Sequence, residues 1–96
     1  TKLFKMIQVG EPITKEQKKL FQRILTIQDV MDVAASVQVS YPTVRNIYYR
    51  NVTVTEENKE AAQGLINKAF EKVEDALSYF QKAKSELEAM LPKVNG

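Results

Sequence analysis

The chain has 96 residues, of which 44% are hydrophobic and 27% charged, and its formal net charge is +2. This length fits one small domain, or a domain with one long appendage. The chain has no cysteine and no histidine, which excludes disulfides and thiolate metal sites and removes the usual general bases and nucleophiles. No carboxylate pair lies in an apolar context that would raise its pKa. We therefore expect a protein that is not an enzyme and holds neither a cofactor nor a metal.

Hydropathy and the distribution of charge indicate where the protein is located and which part of it could contact nucleic acid. No apolar run approaches the ~20 residues that cross a bilayer, and the apolar stretch at 3–9 is too short for a secretory signal, so we expect a cytoplasmic protein without membrane contact. Residues 1–26 carry six basic and two acidic side chains, residues 27–55 two of each, and residues 56–96 six basic and eight acidic. The acidic C-terminal part is therefore a poor candidate for lying along phosphates.

The N-terminal third predicts an apolar segment followed by a helix. Residues 3–9 predict a short strand or an extended arm, and a strand would need residues 52–54 or a second subunit as its partner. Thr14 and Gln17 have the spacing of a capping box, which predicts a helix over 15–25. Its apolar face carries Leu20, Phe21, Ile24 and Leu25. Its other face carries Lys15, Lys18, Lys19 and Arg23, and is either a solvated surface or a flank that contacts phosphates.

Two short helices separated by a tight turn are predicted next. The second helix starts between Thr26 and Asp29 and has apolar residues at helical spacing, namely Ile27, Val30, Val33, Ala34 and Val37. The turn falls at Gln38-Val39. Ser40 is a strong N-cap and Pro42 suits a first turn, so a third helix follows and ends near Arg50-Asn51. Ala34 is expected where the two helices cross, and the small core between them is filled by Val33, Val37, Val39, Val44 and Ile47. We expect Tyr48 to face inward as well.

A long last helix is predicted from Thr55, its expected N-cap, to Leu91, where Pro92 stops it. Small or apolar residues recur at alternating steps of four and three, which is a heptad seam. One half of the seam is Ile66, Val73, Phe80 and Leu87, and the other is Ala62, Ala69, Ala76, Ala83 and Met90. Runs of alanine allow close helix approach, so this helix is our candidate dimer contact. The alternative is packing within the chain, and Gly64 marks either a bend or a close contact.

The segment Val39–Ile47, preceded by Val33-Ala34, resembles the helix-turn-helix of the lac repressor family and its phage-repressor relatives. That family shows the pattern V-A-x-x-A-G-V-S-x-x-T-V-x-x-V, and the later V-S-x-E segment is similar to residues 54–57. The resemblance covers about residues 29–70. The glycine of the family's turn is Gln38 here, which must adopt positive φ at a cost of order 1 kcal/mol. The ligand-sensing domain of the family has no counterpart, so only a DNA-reading head is implied.

The resemblance implies contacts to phosphate by Ser40 and Thr43, and contacts to base edges by Tyr41, Pro42 and Asn46. Helix geometry adds three further residues. Arg45 on the outer face suits guanine or phosphate, and Tyr49 and Arg50 suit the DNA backbone.

We therefore predict an all-α protein with a helix-turn-helix and a long C-terminal helix. Residues 1–54 form the arm and DNA-binding domain, and residues 55–96 the helix that packs and dimerises. The function predicted is sequence-specific binding of double-stranded DNA as a small transcriptional regulator, working as a homodimer. The alternative is a helical protein-interaction module that binds no nucleic acid.

Overall fold

Four helices make up the part of the chain that the computed structural model describes, residues 6–92. They are α1 (Lys15–Ile24), α2 (Ile27–Val37), α3 (Tyr41–Tyr48) and α4 (Lys59–Met90). These residues contain no strand. The prediction of an all-α fold with a long C-terminal helix is confirmed.

Capping boxes start the first two helices. The backbone N–H of Gln17 donates to Thr14 Oγ1 at 3.0 Å, and the backbone N–H of Thr14 donates to Gln17 Oε1 at 2.8 Å. At α2 the Asp29 amide donates to Thr26 Oγ1 at 3.1 Å, and the Thr26 amide donates to Asp29 Oδ2 at 2.8 Å. Each box satisfies two backbone donors that a helix start leaves unpaired. Thr26 is therefore the N-cap of α2, and Asp29 is its capping partner.

Residues in the left-handed conformation end α2 and α3. Gln38 has φ 60° and Arg50 has φ 66°. After α3, the backbone N–H of Arg50 donates to the backbone carbonyl of Ile47 at 3.0 Å. The backbone N–H of Asn51 donates to the backbone carbonyl of Asn46 at 2.8 Å, and the two bonds together form a Schellman motif. The positive φ expected at Gln38 is present, although glycine usually occupies such positions.

The prediction that Thr55 caps the last helix is wrong, because α4 begins four residues later at Lys59. The backbone N–H of Thr55 donates to Asn58 Oδ1 at 2.7 Å, and the backbone N–H of Asn58 donates to Thr55 Oγ1 at 3.2 Å. These reciprocal bonds close a turn over residues 55–58. Thr55 and Asn58 thus have the spacing of a helix cap, but they form a separate turn that precedes the helix.

The segment before α1 is irregular over the described residues 6–14, while residues 3–5 of the predicted strand or arm lie outside the described range. The Gly10 amide donates to the Val54 carbonyl at 2.8 Å, and the Val54 amide donates to the Glu11 carbonyl at 2.9 Å. This pairing lies where a strand partner was expected, yet two bonds form no ladder.

One hydrophobic core joins residues 13–54 to the first part of α4, and we call residues 13–69 the head. The interhelical positions Val33, Ala34, Val44 and Ile47 are buried as predicted. Tyr48 is also buried, and its hydroxyl donates to the Leu25 carbonyl at 3.2 Å. The remaining buried apolar residues are Ile13, Phe21, Leu25, Val30, Val54, Ala61, Ala62, Leu65 and Ala69. The alanine seam is therefore used inside the head in its first half.

Gly64 lies at a close contact between α4 and α2. A Cβ atom at this position would lie 2.8 Å from Val33 Cγ1 and 3.0 Å from Val37 Cγ1. Real Cβ atoms essentially never lie less than 3.0 Å from another heavy atom, so a side chain at this position would force Val33 or the two helices to shift. Of the two roles predicted for Gly64, the structure shows the close contact.

An ion pair also joins α4 to the start of α2. Lys72 Nζ contacts Asp29 Oδ2, which is largely buried. Burial raises the pKa of Asp29, but hydrogen bonds from Lys72 and from Thr26 outweigh it and hold that pKa below its usual value. The Asp29 carboxylate thus serves both the cap of α2 and the attachment of α4.

Beyond the head, α4 projects away from the other helices. The described chain measures 61 × 30 × 15 Å and has a radius of gyration of 17.7 Å, against roughly 12–13 Å for a compact domain of this length. From Val73 onward most side chains of α4 are exposed, including Leu77, Phe80 and Leu87.

We predict that Gly64→Ala lowers the free energy of unfolding by about 1–2 kcal/mol. Overpacking against Val33 and Val37 costs about 1–3 kcal/mol, and the better helix propensity of alanine returns at most ~1 kcal/mol. Urea unfolding followed by circular dichroism measures the change. Gln63→Ala, at the neighbouring exposed position, is the control and should stay within ~0.5 kcal/mol of the parent. An unchanged or increased stability of Gly64→Ala would contradict the close contact.

We predict that Gln38→Gly raises the free energy of unfolding by up to ~1 kcal/mol, because glycine adopts positive φ without steric cost. Gln22→Gly, at an exposed position in the last turn of α1, makes the same chemical change at helical φ, and it should lower stability by up to ~1 kcal/mol. Thermal and urea unfolding of both variants measure the difference. Two destabilised variants would argue against a left-handed residue at the α2–α3 turn.

We predict that acid destabilises the protein partly through Asp29. Its folded-state pKa lies below the unfolded value of about 4, so its stabilisation is present above pH ~4 and disappears as pH falls through the folded pKa. Asp29→Asn should be less stable than the parent at pH 7 and should lose less stability between pH 5 and pH 2 in urea titrations. Asp32→Asn, which removes an exposed carboxylate from the same helix, is the control for the loss of one negative charge. Equal acid dependence of Asp29→Asn and the parent would count against the ion pair.

Candidate nucleic-acid interface

Helix α3 has one face in the core and one face toward solvent. Val44, Ile47 and Tyr48 are buried against α2, α4 and the end of α1, whereas Pro42 and Arg45 are exposed and Asn46 is half-buried. The two helices α2 and α3 are joined by three residues, 38–40. The outer face of α3 is thus held at a fixed orientation by its own inner face, which is the arrangement that a groove-reading helix needs.

The N-terminal turn of α3 presents two hydroxyl groups. Ser40 Oγ lies 2.8 Å from Thr43 Oγ1 and accepts from the Thr43 amide at 3.4 Å. Both side chains stand at the end of the helix where the partial positive charge of the backbone dipole favours an anion. Tyr41 is half-buried and packs against the core, so only part of its ring is open to a ligand.

The guanidinium group of Arg45 lies over an aromatic ring. Its guanidinium carbon lies 5.6 Å from the centre of the Tyr49 ring, within the range of a cation–π contact. The Tyr49 ring in turn meets the buried Tyr48 edge-on, with 5.0 Å between centroids, and burial raises the pKa of the Tyr48 phenol. Sequence reasoning missed this stack, although the spacing of four residues between Arg45 and Tyr49 could have indicated it.

Arg50 has a structural contact that the sequence did not predict. Its Nε donates to the Ile13 carbonyl at 2.7 Å, so the side chain ties the end of α3 to the segment before α1. An arginine has five N–H donors, and this bond uses one of them. Arg50 also lines a cleft together with lysines of α1, so one side chain can both hold the structure and contact phosphate.

An open cleft of about 410 Å³ separates the basic face of α1 from the end of α3. It is lined by Lys15, Lys18, Lys19, Gln22, Tyr49, Arg50 and Asn51. Three of the four basic residues of α1 therefore lie beside the C-terminal end of the candidate reading helix, and Arg23 does not line this cleft. No carboxylate lines it, although Glu11 and Glu16 border a neighbouring cleft with Lys15 and Arg50.

Eight residues were predicted to contact DNA, and the structure places them on α3 or directly before or after it. Ser40, Pro42 and Arg45 are exposed, while Tyr41, Thr43, Asn46, Tyr49 and Arg50 are half-buried. The cleft adds the α1 lysines to this surface. We call the eight residues and the lysines at 15, 18 and 19 the α3 surface.

Within the described residues 6–92, there is no group of three or more acidic side chains that could hold a metal ion. None of its helices has the length and apolarity needed to cross a membrane.

Comparisons of the chain with protein-family models, with curated proteins and with solved structures each find no match.

Proposed function

We propose that this protein binds double-stranded DNA by inserting α3 into the major groove, and that it acts as a small transcriptional regulator in the cytoplasm. The observation that carries the proposal is the α2–turn–α3 unit itself. Its inner face is buried, its outer face holds Arg45 and Asn46 within one turn of each other, and no acidic residue lies between Asp32 and Glu56.

The chemistry of the exposed groups suits a division of labour on duplex DNA. Arg45 can donate two hydrogen bonds to a guanine edge, and Asn46 can both donate to and accept from adenine. Pro42 offers apolar contact, for example to a thymine methyl group. Ser40, Thr43 and the lysines of α1 suit the phosphates on either side.

A homodimer belongs to the proposal because a single helix-turn-helix reads only a few base pairs. Two heads that bind one turn of DNA apart need half-sites separated by ~34 Å. The acidic part of α4 is unsuited to phosphates, so we assign to it the contact between subunits.

We predict that selection from a random duplex pool yields a preferred site, and that Arg45→Ala and Asn46→Ala each weaken binding to that site by about 1–3 kcal/mol, roughly 5- to 150-fold. Lys18→Ala should instead weaken specific and random duplexes alike and reduce the slope of log affinity against log salt by about one. Fluorescence anisotropy over a salt series measures both quantities.

Lys82→Ala, an exposed change on the projecting part of α4, is the control and should bind like the parent. Circular dichroism shows whether each variant is folded, which is expected because Arg45 and Lys18 are on the surface. If the folded parent and all variants bind random duplexes equally weakly, the base-reading proposal is wrong. The α3 surface would then belong to a protein-interaction module, the alternative predicted above.

A further inference from the structure

A continuous apolar stripe runs along α4 from Ile66, at the edge of the head, into the projecting part of the helix. Large side chains recur at alternating steps of four and three, and we call them the α4 stripe: Ile66, Phe70, Val73, Leu77, Phe80, Lys84, Leu87 and Leu91. Phe70, Phe80 and Leu91 are each 63–65% exposed. All members except Lys84 are apolar, so the pattern is a coiled-coil seam rather than scattered surface residues.

We infer that the α4 stripe pairs with the same stripe of a second copy of this chain, and that the two helices run antiparallel. Six exposed apolar residues at roughly 100 Å² each give about 600 Å² on one copy, the upper end of patches on monomeric proteins. Two copies would bury about 1,200 Å², which reaches the size of specific interfaces. A projecting helix of ~20 residues also gains little stability without tertiary support, and a second copy supplies it.

Lys84, whose ammonium group lies 3.9 Å from Glu88 of its own chain, favours one direction of pairing. In a parallel pair in register, the Lys84 side chains of the two copies meet across the seam and repel each other. In an antiparallel pair centred between Leu77 and Phe80, Lys84 faces Val73 of the other copy. Its flexible stem can then carry the ammonium group to the neighbouring Glu74.

The edges of the stripe agree with the antiparallel register. Along one edge, Glu74 and Glu88 fall opposite the neutral amides of Gln81 and Asn67, so like charges do not face each other. Along the other edge, two small residues beyond the head allow the helices to approach closely; they are Ala76 and Ala83.

The head supplies a receiving groove at each end of this pair. An apolar groove of about 350 Å³ lies between α1 and α4 and is lined by Ile7, Gln17, Leu20, Phe21, Ile24, Ile66, Ala69, Phe70 and Val73. It is continuous with the stripe, since three residues belong to both. In the antiparallel register, Leu87 and Leu91 of one copy fall opposite Phe70 and Ile66 of the other, so the end of each α4 fills the other copy's groove.

The spacing of the two heads follows from this register and rests on the proposed DNA-binding function. The head holds α4 through residues centred near Leu65, about 13 residues from the two-fold axis. At 1.5 Å per residue the heads lie roughly 40 Å apart along α4, on the scale of the ~34 Å between half-sites on one turn of DNA.

Cross-linking of the full-length chain tests the direction of pairing, because the sequence has no cysteine of its own. In the antiparallel pair, residues 70 and 87 of different copies are neighbours, while two residues 70 lie ~25 Å apart along the axis. A disulfide spans at most ~7 Å between Cα atoms. An oxidised mixture of Phe70→Cys and Leu87→Cys chains should therefore give a covalent heterodimer, and each variant alone should stay uncross-linked. Cross-linking of either variant with itself would establish parallel pairing and overturn the inference.

Sedimentation equilibrium tests whether the pair exists. The parent should have twice the mass of one chain, and Leu77→Glu should have the mass of one chain with the head still folded. Ser78→Glu places the same charge at an exposed position outside the α4 stripe, about 100° around the helix from Leu77, and should remain a dimer. A monomeric parent, or a Leu77→Glu variant that stays dimeric, would overturn the inference. Neither measurement contains DNA, so a monomer that still binds duplex DNA refutes the pairing and the homodimer but leaves DNA binding by α3 standing, and a dimer that binds none refutes only DNA binding.

Discussion

The approach of α4 to α2 at Gly64 is the contact on which the rest of the structure depends. Because Val33 and Val37 fill the space that a side chain would need, α4 lies against α2 closely enough for Ala61, Ala62 and Leu65 to be buried. A small domain has little apolar surface to bury, and this contact lets one long helix complete the core of three short ones. The ion pair from Lys72 to Asp29 fixes the same two helices one turn beyond the core.

Two residues in the left-handed conformation set the direction of the candidate reading helix. Gln38 turns the chain from α2 into α3, and Arg50 turns it away from α3 toward the segment that leads to α4. At Arg50 the strained conformation is compensated, because its Nε bonds to the Ile13 carbonyl. That bond also brings the end of α3 beside the basic face of α1, so the same side chain that ends the helix assembles the cleft with Lys15, Lys18 and Lys19.

Much of this fold follows from local rules that the sequence displays. Capping residues, apolar spacing and Pro92 predicted the helices, and the burial of Val33, Ala34, Val44 and Ile47 follows from helical periodicity alone. The failure at Thr55 is also local, since a threonine with Asn58 closes a turn as well as it caps a helix. Apart from the stack of Arg45 on Tyr49, the contacts that sequence reasoning missed are between residues distant in the chain. They join Lys72 with Asp29, Arg50 with Ile13, and the α1 lysines with the end of α3. Such pairs depend on how the helices are arranged in space, which periodicity does not determine.

The division of α4 into two parts connects the head with its proposed pairing. Its first part presents small residues, Ala61, Ala62, Gly64 and Ala69, because the neighbouring helices must come close. Its second part exposes large ones, Leu77, Phe80 and Leu87, which the proposed pairing would cover. Since both parts belong to one uninterrupted helix, any angle set at the pairing surface is carried rigidly to α2 and hence to α3. The orientation of two reading helices would therefore be decided by packing about 20 Å away from them, and the α3 surface needs no contact of its own between subunits.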